Sequence, residues 1–294
     1  MMANNIGTVQ TLVKLDRVPT GISSFDPIIR GGFPSGSLVL LVGEAGSGKT
    51  EFAYSSMGML SLMRGEPEKY KAVKEQLQGL LLKEESLKLP DNICYVSFAR
   101  SKESIIKELE RAYPPEFARS LSTSMVFKDL SSMPVVYSKE WQSMKTLGSA
   151  EIEKEIFKEF VSILDSQAPN SIVIIDSLNH LVNLCKKFMD WTEIISFVKD
   201  LQRQAKKWDG VVYLLLGRGV MESMKEEEVM GMVDGVLVFE WVQEGFLRQQ
   251  AMYMKKFRGL MPLISRDNIA RFDTLVTSAD GFVVTNVKRI SGRR

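Results

Sequence analysis

Apolar residues follow two periods along this chain. Short continuous runs at 38–42, 93–98, 171–175 and up to residue 216 are rich in Val, Ile and Leu and too short for helices, so they read as strands buried on both faces. Between them, apolar positions recur every three to four residues. The stretch from Thr50 to about Met63 has this spacing, as does the one opened by Ser101, where Ile105, Ile106 and Leu109 interleave with Glu103 and Glu108. In a further helix Ile194, Phe197, Val198 and Leu201 follow Asp190 and Glu193, which are spaced as a capping box. Strand and helix alternate through 92–111, 151–176 and 190–216, which predicts a parallel sheet covered by helices on both faces. After Gly217 the pattern changes to successive strands at 235–241, 250–257, 268–276 and 281–284, expected as antiparallel additions at one sheet edge. The glycines and prolines of 18–36 predict a short helix near 24–29 held between turns. The mixed-charge stretch 67–88, with Val73, Leu77, Leu80 and Leu81 at helical spacing, predicts an inserted helical hairpin covering another surface. The expected organisation is an N-terminal arm over 1–17 and one α/β domain over 18–294, with a helical insertion at about 64–90.

One junction carries chemistry. The run 38–42 leads into Gly43-Glu44-Ala45-Gly46-Ser47-Gly48-Lys49-Thr50, with Glu51 starting the helix beyond. Its glycines let successive backbone N–H groups turn inward around a phosphate, and the helix presents its positive dipole end to the same group. Lys49 is placed to bridge the outer phosphates and Thr50 to offer a hydroxyl to magnesium. A second apolar run ends in Asp176, which delivers a carboxylate to the same ion at the C-terminal edge of the sheet. The ligand implied is a nucleoside triphosphate with Mg2+, and with no second glycine loop there is one site per chain.

Bulk properties narrow the picture. A chain of 294 residues with 45% hydrophobic content can bury a large core. Its 38 basic and 36 acidic residues leave a charge of +2, which does not point to nucleic acid or an anionic membrane. DNA binding is further disfavoured at 217–234, where Glu222, Glu226, Glu227 and Glu228 outweigh Arg218 and Lys225. Cys94 and Cys185 lack metal spacing and read as buried thiols of a reducing compartment. Neither a secretion signal nor an apolar run of membrane-spanning length is present, so the expected location is cytoplasmic. His180 alone cannot form a metal cluster and is expected to pack or cap near a helix start.

The segment Thr20-Gly21-Ile22-Ser23-Ser24-Phe25-Asp26, then Gly31-Gly32-Phe33-Pro34-Ser35-Gly36 and the glycine loop, resembles the opening of the RecA superfamily, most closely its KaiC-like branch. Asp176-Ser177-Leu178, Asp234-Gly235-Val236 and Lys256-Phe257-Arg258-Gly259 extend the resemblance along nearly the whole chain. It implies a RecA-like core that binds ATP, assembled as a homo-oligomer, hexameric or filament-like, with nucleotide between neighbours. It also implies that Lys256 and Arg258 act in trans on the adjoining subunit's nucleotide. One departure stands out. Where KaiC-like ATPases place two glutamates after the Phe that ends the second strand, this chain has Ala99 and Arg100. A positioned general base contributes about 10²–10⁴ in rate, so no catalytic residue is assigned. Glu103 lies too far along the helix, and Glu44 and Glu51 are expected to face solvent or a neighbour. Arg100 and Arg218 close two strands at the ligand edge, where either could touch phosphate. The expectation is an ATP-binding assembly or regulatory module with weak or absent hydrolysis and room for a protein partner. The alternatives are an active oligomeric ATPase, such as a motor or recombinase paralogue, and a KaiC-type autokinase.

Overall fold

The computed structural model describes residues 15–131, 149–267 and 269–289. Residues 1–14 of the expected arm, and Asn268 at the start of an expected strand, lie outside them. The chain runs β1 (Leu15–Val18), β2 (Phe33–Pro34), β3 (Ser37–Gly43), α1 (Lys49–Gly65), α2 (Pro67–Gln78), β4 (Glu85–Leu87), β5 (Ile93–Ser97), α3 (Lys102–Ala112), α4 (Pro115–Ser124) and β6 (Met125–Asp129). It continues with α5 (Ser149–Gln167), β7 (Ile172–Asp176), α6 (Leu178–Cys185), α7 (Trp191–Trp208), β8 (Val211–Gly217) and α8 (Ser223–Met232). The last part is β9 (Gly235–Glu244), β10 (Leu247–Phe257), α9 (Met261–Arg266), β11 (Ile269–Thr277) and β12 (Gly281–Arg289).

Among the described residues, nine strands form the main sheet in the order β12-β11-β10-β9-β3-β8-β7-β5-β6. From β9 to β6 every pairing is parallel, while β10, β11 and β12 add on antiparallel, as the pattern predicts. β3 lies inside the parallel part and is buried along its whole length. Its alternation sends Val39 and Leu41 to the face packed with Phe25, Phe52 and Phe239, and Leu38, Leu40 and Val42 to the face packed with Phe160, Val198 and Leu201. Helices on both faces exclude water from the strands, which is why these runs carry no polar alternation.

Two expectations need correction. Residues 24–29 form consecutive turns rather than a helix. The N–H groups of Phe25 and Asp26 both donate to Ile22 O, and those of Ile28 and Ile29 both to Phe25 O, so three- and four-residue turns follow one another without a regular ladder, while the buried Asp26 carboxylate accepts from the Thr20 N–H, the Thr20 hydroxyl and the Gly21 N–H. The insertion, expected as a helical hairpin, has one helix, α2, and then returns as β4, which pairs parallel to β1. Leu77 is buried, but Leu80 and Leu82 remain exposed. β1 also begins within the stretch expected as an arm, and a buried Arg17–Glu85 ion pair at 2.5 Å ties it to β4.

Candidate nucleotide site

Strand register sets the geometry. Gly43 pairs with Gly217 of β8 and with Phe239 of β9, so the glycine loop leaves the sheet between two parallel neighbours. Leu41 is level with Leu215, and Ile175 with Leu214, so Asp176 ends β7 two residues short of the level of Gly43. At about 3.3 Å per residue the backbone of Asp176 is about 7 Å short of the Gly43 level along the strand direction. Ser97, the last residue of β5, pairs with Asp176. Thr50 lies in the first turn of α1 and Asp176 at the end of β7, and both are half-buried.

The loop is built on glycine for geometric reasons. Gly46 and Gly48 have φ of 71° and 104°, and a Cβ on Gly43 would lie 2.4 Å from Ser47 Oγ. Gly48 caps α1 without any side chain, leaving the first-turn N–H groups directed at the loop's interior. Lys49 folds back to donate to the Glu44 carbonyl at 3.2 Å, and Ser47 Oγ donates to the same oxygen at 2.8 Å. Burial pulls the Lys49 ammonium below its ordinary pKa, while the charges of Glu51 and Asp176 push it back up. From the β9–β10 hairpin, Gln250 Nε2 donates to Gly46 O at 2.8 Å and Trp241 Nε1 reaches Ala45 O at 3.5 Å. Both bonds engage backbone carbonyls of the loop. Neither residue was marked by sequence reasoning, because nothing local in 241–250 signals a loop contact nearly two hundred residues away.

The donor set suits magnesium. A hydroxyl and a carboxylate are hard oxygen ligands, and a phosphate-bound Mg2+ needs few protein donors because it keeps waters and phosphate oxygens. Among the described residues, no group of three His, Cys, Asp or Glu side chains could hold a metal ion unaided.

Other candidates fall into place. Ala99 is exposed just past β5, and the N–H groups of Ala99 and Arg100 turn back onto Ser97 Oγ at 3.4 and 2.9 Å. The Arg100 guanidinium donates to the Tyr54 hydroxyl at 3.0 Å and pairs with Glu108, so it is held against α1 and α3. Glu44 is exposed and Glu51 half-buried beside Lys49. The Arg218 side chain is exposed, while its N–H donates to Gly43 O at 3.0 Å. Lys256 donates to the Met230 and Gly231 carbonyls at the end of α8, and Arg258 contacts the buried Asp234 at 3.4 Å. Within one chain, neither reaches the glycine loop through any of these bonds. Burial and the neighbouring Arg258 lower the Lys256 pKa, against the pull of Asp234. His180 shares a 2.9 Å hydrogen bond with the Ser177 hydroxyl at the start of α6. Cys94 and Cys185 are free and buried, their thiols pushed up to about 12 by burial.

A parallel sheet with the glycine loop at its C-terminal edge and a carboxylate-ended strand nearby defines a RecA-like P-loop fold. Known proteins share part of this sequence and most of its fold. Residues 18–89 match the family described as "ATPase: KaiC". The crystal structure of a KaiC-like protein from Pyrococcus horikoshii OT3 superposes with a TM-score of 0.59 at 17% identity, covering 92% of this chain and 100% of that one. The flagellar accessory protein FlaH from Methanocaldococcus jannaschii superposes at 0.57 and 14% identity, covering 89% and 95% of the two chains. A UPF0273 protein of Aeropyrum pernix is 43% identical over 61 residues, which is 21% of this chain and 24% of that protein's length. The chain thus shares the fold of these structures along most of its length, and its first part, residues 18–89, is similar to the KaiC ATPase family.

Proposed function

We propose that this protein binds ATP with Mg2+ as a nucleotide-dependent assembly or regulatory module whose hydrolysis is weak or absent. The loop 43–50 would cradle the phosphates, Lys49 would bridge the outer ones, and Thr50 and Asp176 would hold the ion that neutralises them. The observation that carries this reading is the pairing of a complete loop and Asp176 with an exposed Ala99 and a tied Arg100 where the family places its general base. Assembly into a homo-oligomer, with Lys256 and Arg258 addressing a neighbour's nucleotide, belongs to the same proposal. So does a cytoplasmic location. No helix among the described residues is long and apolar enough to cross a membrane. The FlaH neighbour is described as a flagellar accessory protein, and an accessory role in an assembly is compatible with binding that outlasts turnover.

Binding of a fluorescent ATP analogue, measured beside phosphate release on one sample, tests the reading. Tight binding with negligible release is expected. Lys49→Ala removes a charge-assisted contact worth about 2–5 kcal/mol and is expected to weaken binding by at least about 30-fold. Unchanged binding in that variant would remove the site assignment, and sustained turnover by the wild type would replace this reading with an active ATPase.

A further inference from the structure

Two side chains of the β9–β10 hairpin hold the glycine loop by its carbonyls. Trp241 and Gln250 face each other across the hairpin, two residues beyond the level at which Phe239 pairs with Gly43. Trp241 shares a sheet face with Phe239, whose ring packs on Phe52 of α1, so both side chains lie on the side where α1 begins. Gln250 Nε2 donates to Gly46 O at 2.8 Å, and Trp241 Nε1 donates to Ala45 O at 3.5 Å. The indole also covers Gly46, where a Cβ would lie 3.8 Å from Trp241 Cζ2, and the Arg248 guanidinium stacks on the indole at 4.5 Å from its centroid.

We propose that Gln250 and Trp241 are positioning residues for phosphate binding: by holding the Ala45 and Gly46 carbonyls they fix the direction of N–H groups that the loop offers to a phosphate. The inference rests on the reading that the loop 43–50 holds a nucleotide's phosphates.

In a trans peptide the C=O and the N–H that follows it point in opposite directions. The peptides of the loop are trans, so a carbonyl held by the hairpin turns the next N–H away from it. Ala45 O thus sets the Gly46 N–H, and Gly46 O sets the Ser47 N–H. The preceding plane is held from within, since Glu44 O accepts from Ser47 Oγ at 2.8 Å and from Lys49 Nζ at 3.2 Å, which sets the Ala45 N–H. Three successive peptide planes are thereby fixed, two of them by residues 196 and 204 positions further along the chain. The Ser47 N–H spans a long 3.4 Å to Glu44 O, a bond that an incoming phosphate oxygen can replace. Glycine makes outside support necessary. Gly46 at φ 71° and Gly48 at 104° lie where glycine is at ease but little restrained, and planes left unheld would have to be ordered when the ligand binds. The hairpin does not need the loop in return. Its ladder runs without a shift from Glu244–Leu247 to Leu237–Met254, and Gln250 also pairs with Thr274 of β11. A rigid element preorganises a flexible one.

The test uses the full chain, a fluorescent ATP analogue, and inorganic tripolyphosphate as a displacing ligand that carries phosphates and nothing else. Gln250→Leu keeps much of the side chain's bulk and removes the donor. It is expected to weaken the analogue and tripolyphosphate by the same factor, about 2- to 10-fold, as one net hydrogen bond implies, with the unfolding midpoint in the absence of ligand unchanged. Trp241→Phe, which keeps a ring over Gly46, should weaken both by a smaller factor. Tripolyphosphate is also expected to change the tryptophan emission of the wild type, and Trp241→Phe to lose that change; a signal that persists in the variant, or none in a wild type that binds, would remove Trp241 from the proposal. Unchanged affinities in Gln250→Leu would overturn the inference. So would a loss confined to the analogue, which would place Gln250 at the base or sugar, and a loss accompanied by a lower unfolding midpoint, which would mark a structural role. A wild type that binds neither ligand would remove the underlying reading as well. Should Gln250→Leu fail to fold, Gln250→Asn retains the amide but draws it back from Gly46 O, and the same outcomes decide.

Discussion

Ala99 and Arg100 look alike as losses when read along the chain, because each stands where a glutamate is expected. Their surroundings separate them. Ala99 is exposed at the ligand edge, whereas the Arg100 guanidinium is committed to Tyr54 and Glu108. Ala99→Glu is therefore the cleaner restoration, adding a carboxylate without disturbing a bond. It is expected to raise phosphate release at least about 10-fold, toward the 10²–10⁴ that a positioned base contributes. A continuous phosphate assay checks this, and an unchanged rate would mean that the missing base is not what limits turnover. Glutamate at 100 would instead face Glu108 and leave Tyr54 without its donor, so the double replacement should gain less. The identities of Lys49, Thr50 and Asp176 were legible because their chemistry is local to a motif. The partners of Arg100 were not, since Tyr54 and Glu108 become its neighbours only when α1 and α3 pack beside β5.

Among the elements, α1 shows how closely the helices over the loop must pack. Gly58 lies where α1 meets α4, and a Cβ there would lie 2.0 Å from Phe117 Cζ, whose ring stacks on Tyr113. Overpacking of this kind costs about 1–3 kcal/mol. Gly58→Ala is thus expected to lower the melting temperature by several degrees in a thermal scan, despite alanine's better helix propensity. A rise would mean that Phe117 moves aside freely. Most strands and helices of the parallel region could be read from period alone, including the Asp190–Glu193 capping box, which the structure contains. The stretch 24–29 could not, because its backbone bonds mix three- and four-residue turns, Pro27 offers no N–H, and the Gly31 N–H closes back onto Asp26 O. β4 escaped for another reason. Glu85-Ser86-Leu87 has no strand pattern of its own and becomes one by pairing with β1 across the Arg17–Glu85 ion pair.

For the whole molecule, the open question is what completes the site. Arg258 touches Asp234 at 3.4 Å and its side chain is 59% exposed, so little in the protomer restrains it from reaching a neighbouring copy. In the proposed assembly Arg258→Ala should abolish the increase in mass on adding ATP, as followed by light scattering. An unchanged increase would place the contact elsewhere. Lys256 is less free, since it caps the last carbonyls of α8. The pairing of β3 with β9 brings the glycine loop within reach of the β9–β10 hairpin, whose Trp241 and Gln250 donate to the Ala45 and Gly46 carbonyls.

By itself, the sequence determined where the glycine loop leaves the sheet, the carboxylate at the end of β7, the parallel sheet and its antiparallel edge. Those properties follow from short-range spacing, which governs backbone conformation, burial period and the groups offered to a phosphate. Only the tertiary structure decided which side chains stand behind them: Tyr95 at the carboxylate, Tyr54 against Arg100, Gln250 and Trp241 at the loop, and Asp234 beside Arg258. Such pairings depend on strand order and register, which bring together residues that no local pattern relates.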